Sequence, residues 1–241
     1  NLNWRLAEQI YSNYTTDDFK VWELLYTRQI NFIEDKVAFE FLESLETVGF
    51  TSDRIPNFKE VNNTLSKYTG WQIITVPKLA PADVFFNHLS EKRFTATCWL
   101  RTLDQIDYLE EPDMFHDVFA HTPLLSNKEY TDFFQKIGQR ALQVIHEPKK
   151  LTMLQRLYWF TIEFGLIRSS EETKIYGAGI ISSKGEAEYS LSNEPTKLNY
   201  DVAKIMNHSF RTDIIQDTYY VIDSFEQLSK SFDQIDYHLF S

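Results

Sequence analysis

An α+β domain, mostly helical and carrying a few short β-strands, is the fold class this chain predicts. Apolar residues recur at steps of three and four over long stretches, which is the helical period. Two compact runs, Trp71–Val76 and Phe94–Trp99, are rich in β-branched and aromatic residues and read as strands. No repeat, low-complexity tract or linker-like boundary divides the chain, so residues 1–241 read as a single domain.

Taken in order, Phe19, Trp22, Tyr26, Ile30, Ile33, Val37, Phe41, Leu45 and Val48 form one face of a long amphipathic helix, or of two helices joined by a short break. Thr16 or Asp17 is expected to cap its start and Gly49 to end it. Val61–Tyr68 predicts a short helix closed by Gly70. The strand Trp71–Val76 stops at Pro77, and Pro81 opens a helix running to about Leu89. A helix is expected to start near Pro112. Helical patterns follow over Ser126–Ile145 and Pro148–Arg168. Residues 176–182, punctuated by glycine, read as irregular or strand-like. Ser183–Leu191 predicts a helix, 218–222 a strand and Asp223–Tyr237 a final helix.

Composition narrows the function. A net charge of −11 argues against nucleic acid or an anionic membrane surface as partner. No apolar run approaches the roughly 20 residues of a membrane span. The start, Asn-Leu-Asn-Trp-Arg, is unlike a signal peptide, and its lack of Met suggests trimming; a cytoplasmic protein is the simplest expectation. One cysteine, Cys98, excludes an internal disulfide and a cysteine-based zinc site. With 43% apolar and 15% aromatic residues, the chain can build a core of large flat side chains, some of them available to a ligand.

The chemistry concentrates in residues 108–123, Tyr-Leu-Glu-Glu-Pro-Asp-Met-Phe-His-Asp-Val-Phe-Ala-His-Thr-Pro. His116 and His121 stand five apart, and Glu163 follows in the aromatic run Tyr158–Gly165. Two imidazoles and one carboxylate suit a non-heme iron site that keeps coordination positions open. In a regular α-helix, residues five apart are rotated by about 140°, so the pair should not converge from one helix. Pro123 biases Thr122 away from helix, and the helix is therefore expected to stop at Phe119 or Ala120, with His116 in its last turn and His121 in the connection beyond. The plainer alternative is a pair of ordinary core or surface histidines with a glutamate in a buried ion pair. Against it, an unpaired buried carboxylate is costly and a metal compensates it.

Three ordered motifs carry a resemblance: Glu111-Pro112-Asp113-x-x-His116-x4-His121-x-Pro123-Leu124, Tyr158-Trp159-Phe160-Thr161-Ile162-Glu163-Phe164-Gly165-Leu166, and Tyr176-Gly177-Ala178-Gly179-Ile180-Ile181-Ser182-Ser183. Together they resemble the pterin-dependent aromatic amino acid hydroxylases, most of all the short bacterial phenylalanine hydroxylases, over roughly residues 10–240. The resemblance implies that family's catalytic fold, without the regulatory domain and tetramerisation helix of animal members, and hence a monomer. It implies Fe(II) held by His116, His121 and Glu163, tetrahydrobiopterin or a related reduced pterin, O2 as co-substrate, and conversion of L-phenylalanine to L-tyrosine. Alternatives are the same chemistry on L-tryptophan or L-tyrosine, or a non-catalytic domain that binds an amino acid or metal. A zinc hydrolase is a weaker reading, because HExxH-type spacing is absent.

The same resemblance assigns Arg101 to the substrate carboxylate, with Asp113 pairing with Arg101 and fixing its aim. Trp159 would wall the substrate ring and tilt the choice away from tryptophan. Gly179 and Ser182 would form a loop beside substrate and iron, with Ser182 able to hydrogen-bond a ligand histidine. Phe85 would stack on the pterin, Leu79 and Ala80 would meet its edge through their backbone, and Asp117 and Tyr158 would lie close by. Either Phe85 or its neighbour Phe86 can point inward. Ala120, Leu109 and Lys184 depart from the family pattern, standing in place of a glycine, a threonine and an aromatic residue.

Overall fold

The computed structural model describes residues 3–241. Apolar periodicity between Phe19 and Val48 resolves into two helices, α1 (Thr16–Ile33) and α2 (Phe39–Val48). The cap of α1 is Thr15, one residue before the expected pair; its hydroxyl accepts from Asp18 N, and Asp18 answers the backbone N–H of Thr15. Gly49 closes α2 in the left-handed region (φ 71°), as expected. Helix α3 (Phe58–Tyr68) leads into β1 (Gln72–Thr75), α4 (Ala82–Ser90) and β2 (Arg93–Ala96), with β1 and β2 paired in parallel.

Phe115–His121 then winds as a π-helix, α5 spans Lys128–Gln143, and α6 spans Pro148–Tyr158 before a second π-helical turn, Trp159–Glu163. The helix expected to reach Arg168 thus ends at Glu163. Leu166–Ser169 is instead β3, paired antiparallel with β4 (Glu172–Ile175). Residues 176–182 hold one helical turn, α7 (Ala178–Ile181), and are not strand-like; α8 (Lys184–Leu191) follows as expected. The strand β5 (Thr196–Asn199) and the helix α9 (Val202–Met206) were not foreseen, whereas β6 (Thr218–Ile222) matches its predicted span. The last helix is broken at Ser231 into α10 (Phe225–Lys230) and α11 (Phe232–Phe240).

Strands β4, β3, β6 and β5 form one sheet in that order, with β6 parallel to both neighbours. The core is aromatic. Phe115 and Phe119 stack at 4.7 Å on the back of the first π turn, and Trp22 and Phe41 meet their edges. All four side chains are buried, which anchors that turn and leaves its other face for the histidines.

Candidate metal centre

The two histidines converge for a reason other than the expected one. Pro123 does not end the helix between them; both lie in the π-helical segment Phe115–His121. Bonds of the i→i+5 type widen the turn and bring positions five apart back towards one face. A threonine accompanies each π turn. The Thr122 hydroxyl donates to Asp117 O at 3.2 Å, the carbonyl that α-winding assigns to the N–H of His121. Likewise the Thr161 hydroxyl donates to Leu157 O at 2.6 Å, and Phe164 N then reaches Trp159 O at 3.0 Å, five residues back.

His116 Nε2 and His121 Nε2 lie 3.2 Å apart. Glu163 Oε1 is 2.8 Å from His121 Nε2, and its Oε2 is 3.6 Å from His116 Nε2. Donors bound at about 2.0–2.2 Å and set at right angles on one ion stand about 3 Å apart, so these separations fit three neighbouring positions on one face of a cation. Among the described residues, these three form the one group of His, Cys, Asp or Glu side chains placed to hold a metal ion.

Burial opposes the charge on Glu163, yet His121, His116 and the Tyr158 hydroxyl outweigh it and hold the carboxyl at about 2. Burial also opposes a proton on His121, but Glu163 overrides it and its pKa is raised. For His116 burial prevails and the pKa is lowered, favouring neutral imidazole. The Ser182 hydroxyl donates to Ala178 O at 2.9 Å, so in its 2.8 Å contact with His116 Nδ1 it accepts. Nδ1 of His116 therefore carries the proton, leaving the Nε2 lone pair free to ligate. Tyr158 donates its hydroxyl to Glu163 Oε1 at 3.1 Å, and burial keeps that phenol protonated.

Gly179 and Gly177 let α7 press on the backbone of Glu163. A Cβ at Gly179 would lie 2.7 Å from Phe164 Cζ and 3.0 Å from Glu163 O; at Gly177 it would lie 2.5 Å from Glu163 O.

Asp113 is fully buried and grips Arg101 through Nε and Nη2, each at 3.0 Å, while accepting Arg101 N at 3.0 Å. Its Oδ1 also accepts His116 N at 3.3 Å, so one carboxylate ties the arginine to the ligand segment. Ile106 O takes an Nη1–H at 3.4 Å. Nη1 and Nη2 each keep one further N–H, donors of the kind that suit a planar anion.

Phe86 is the neighbour that points into the core. Phe85 stays partly buried, edge-on to Tyr158 with centroids 5.4 Å apart. Leu79 is exposed at 79%, and Ala80 lies next to it ahead of α4. The Asp117 carboxylate accepts both Thr97 N (2.9 Å) and the Thr97 hydroxyl (2.8 Å), an anchor at the end of β2 that sequence reading missed. Trp159 lies in the second π turn, stacked on Phe210 at 4.5 Å and tilted against Phe164 at 4.6 Å. Its Nε1–H donates to Gln216, also missed, because a lone glutamine in a loop carries no local signal. Of the departures, Ala120 is buried, and Lys184 sits 5.3 Å over the Phe32 ring.

The profile of the biopterin-dependent aromatic amino acid hydroxylases matches residues 1–239. The chain belongs to that family. Among its relatives, the phenylalanine-4-hydroxylase of Ralstonia nicotianae is 48% identical over 222 residues, covering 92% of this chain and 71% of that protein. The Chromobacterium violaceum phenylalanine-4-hydroxylase is 45% identical, with 91% and 74% covered. A crystal structure of the C. violaceum enzyme with bound iron(III) and oxidized cofactor 7,8-dihydrobiopterin is 44% identical, with a TM-score of 0.90 over 98% of this chain and 86% of that one. This hydroxylase chain therefore has the family's catalytic fold and depends on iron and a biopterin-type cofactor.

Proposed function

We infer that the chain is a phenylalanine 4-monooxygenase, converting L-phenylalanine to L-tyrosine with O2, Fe(II) and a tetrahydropterin. The observation that carries this reading is the His116–His121–Glu163 cluster in a chain 48% identical to a phenylalanine-4-hydroxylase. When bound, ferrous iron, reduced pterin and dioxygen supply the oxygen-transfer chemistry.

The protein's part is position and dryness. His116, His121 and Glu163 would hold the metal, with His116 presented in one tautomer by Ser182. Arg101, aimed by Asp113, would take the substrate carboxylate on its remaining N–H groups, and Trp159 would wall the ring beside Gly179 of α7. Phe85 would stack on the pterin. The backbone of Leu79 and Ala80 would meet the pterin edge, with Asp117 and Tyr158 alongside. Residues 1–241 are read as one catalytic domain acting as a cytoplasmic monomer on a small molecule, with neither nucleic acid nor membrane as partner. Among the described residues, no helix is long and apolar enough to cross a membrane.

The test is an assay with L-phenylalanine, L-tyrosine and L-tryptophan, each with Fe(II) and a tetrahydropterin. Pterin-dependent formation of tyrosine from phenylalanine is expected to be the fastest reaction. Its absence in iron-loaded protein would falsify the proposal.

A further inference from the structure

We propose that Gln216 is a positioning residue for amino-acid selection: its side-chain oxygen pins the Trp159 indole in the plane that faces the substrate ring. The inference rests on the reading of Trp159 as a wall of the ring pocket.

Trp159 is held by two kinds of contact that constrain different motions. Phe210 lies nearly parallel to it (11°) at 4.5 Å, and Phe164 is tilted against it at 4.6 Å. Stacking sets the tilt of a ring but resists sliding and in-plane rotation weakly, because a flat apolar face offers little to lock onto. Only a directional contact stops that motion. The Trp159 Nε1–H supplies it, donating to Gln216 Oε1 at 3.0 Å.

The acceptor is itself fixed. Gln216 is 6% exposed, and its amide nitrogen donates to Arg211 O at 2.9 Å and Ile214 O at 3.2 Å. A flipped amide would set N–H against N–H at the indole and oxygen against two carbonyls, so one orientation alone is satisfied. The backbone is tied down too: Gln216 N donates to Glu186 Oε1 at 3.3 Å, and the Tyr219 hydroxyl donates to Glu186 Oε2. Glu186 lies in the first turn of α8, four residues after Ser182, which orients His116. The wall of the ring pocket and one metal ligand are therefore both tied to the short segment Ser182–Glu186.

A double-mutant cycle with Gln216→Met and Trp159→Phe tests this on the iron-loaded enzyme. The readouts are KM and kcat for L-phenylalanine, the preference for phenylalanine over tryptophan, and calorimetric binding of L-phenylalanine without pterin. Losing the Trp159–Gln216 hydrogen bond is expected to weaken phenylalanine binding and raise KM by about fivefold. The change in kcat should be smaller, and the preference should fall. In the Trp159→Phe background, Gln216→Met should add little. Replacing Trp159 by benzothienylalanine removes the N–H donor, leaves Gln216 intact and should reproduce the Gln216→Met effect even if that variant folds poorly.

Unchanged KM and preference in both Gln216→Met and the benzothienylalanine protein would overturn the inference. So would effects of Gln216→Met and Trp159→Phe that simply add, since Gln216 would then act through its loop. If Trp159→Phe itself leaves KM and preference unchanged, the wall reading of Trp159 fails and takes this inference with it. If Trp159→Phe shifts them while the other two replacements do not, the Gln216 inference fails alone.

Discussion

His121 and Glu163 meet at 2.8 Å in a buried site, and each moves the other's proton equilibrium. In the metal-free protein, Glu163 is held at about 2 against an ordinary 4.5, and His121 is raised above an ordinary 6.5. A lowered carboxyl stabilises the fold above 4.5, and this contribution is lost as pH falls towards 2. A raised histidine stabilises it below 6.5 and loses that contribution as pH climbs through the raised value. The pair therefore supports the metal-free fold most between pH 4.5 and 6.5. A metal ion needs the imidazole lone pair, so it must displace the His121 proton. Metal uptake just above pH 6.5 is expected to release protons, measurable by calorimetry in buffers of different ionisation enthalpy. Heats independent of the buffer would contradict the charge state assigned to the pair.

Both ligand-bearing elements are π turns, and α7 is fitted to the second of them without clearance. Gly179 is the sensitive position, since an added Cβ would stand 2.7 Å from Phe164 Cζ and 3.0 Å from Glu163 O. Either α7 backs away, taking Ser182 from His116, or the Glu163 turn shifts. Overpacking of this kind costs about 1–3 kcal/mol, so Gly179→Ala is expected to lower the melting temperature by several degrees and to weaken metal binding. A variant with parent-like stability and metal affinity would show that α7 does not brace the centre.

The centre gathers elements distant in sequence: the turn at Phe115–His121, the turn at Trp159–Glu163, and α7 with Ser182. An ion that binds only when these are assembled stabilises the folded chain by mass action. At a metal concentration about 100 times Kd the gain is about 2.7 kcal/mol, expected as a rise of several degrees in melting temperature on adding Fe(II) anaerobically or Co(II). His121→Ala should lose most of that rise while folding without metal. A full metal-dependent rise in that variant would remove His121 from the ligand set.

The donor set and the helical character of the chain were legible in the sequence, because they depend on residue identity and local period, whereas Arg101 was singled out only by the family resemblance. Apolar steps of three and four announced α1 and α2, and Thr218–Ile222 emerged at its predicted bounds because β-branched and aromatic residues crowd it. The winding between His116 and His121 was misread. A period of 3.6 says nothing about a threonine hydroxyl taking a main-chain carbonyl, or about Phe115 and Phe119 being clamped from behind by Trp22 and Phe41. The short strands β3 to β5 were missed because four-residue segments on a sheet assembled from distant parts carry too little pattern of their own. Gln216 and the pairing of Arg101 with Asp113 and Ile106 O belong to the tertiary structure for the same reason. Sequence supplies the groups that can donate, accept or ligate; which of those valences are consumed and which remain for a metal or a substrate depends on what the folded chain brings within hydrogen-bonding distance.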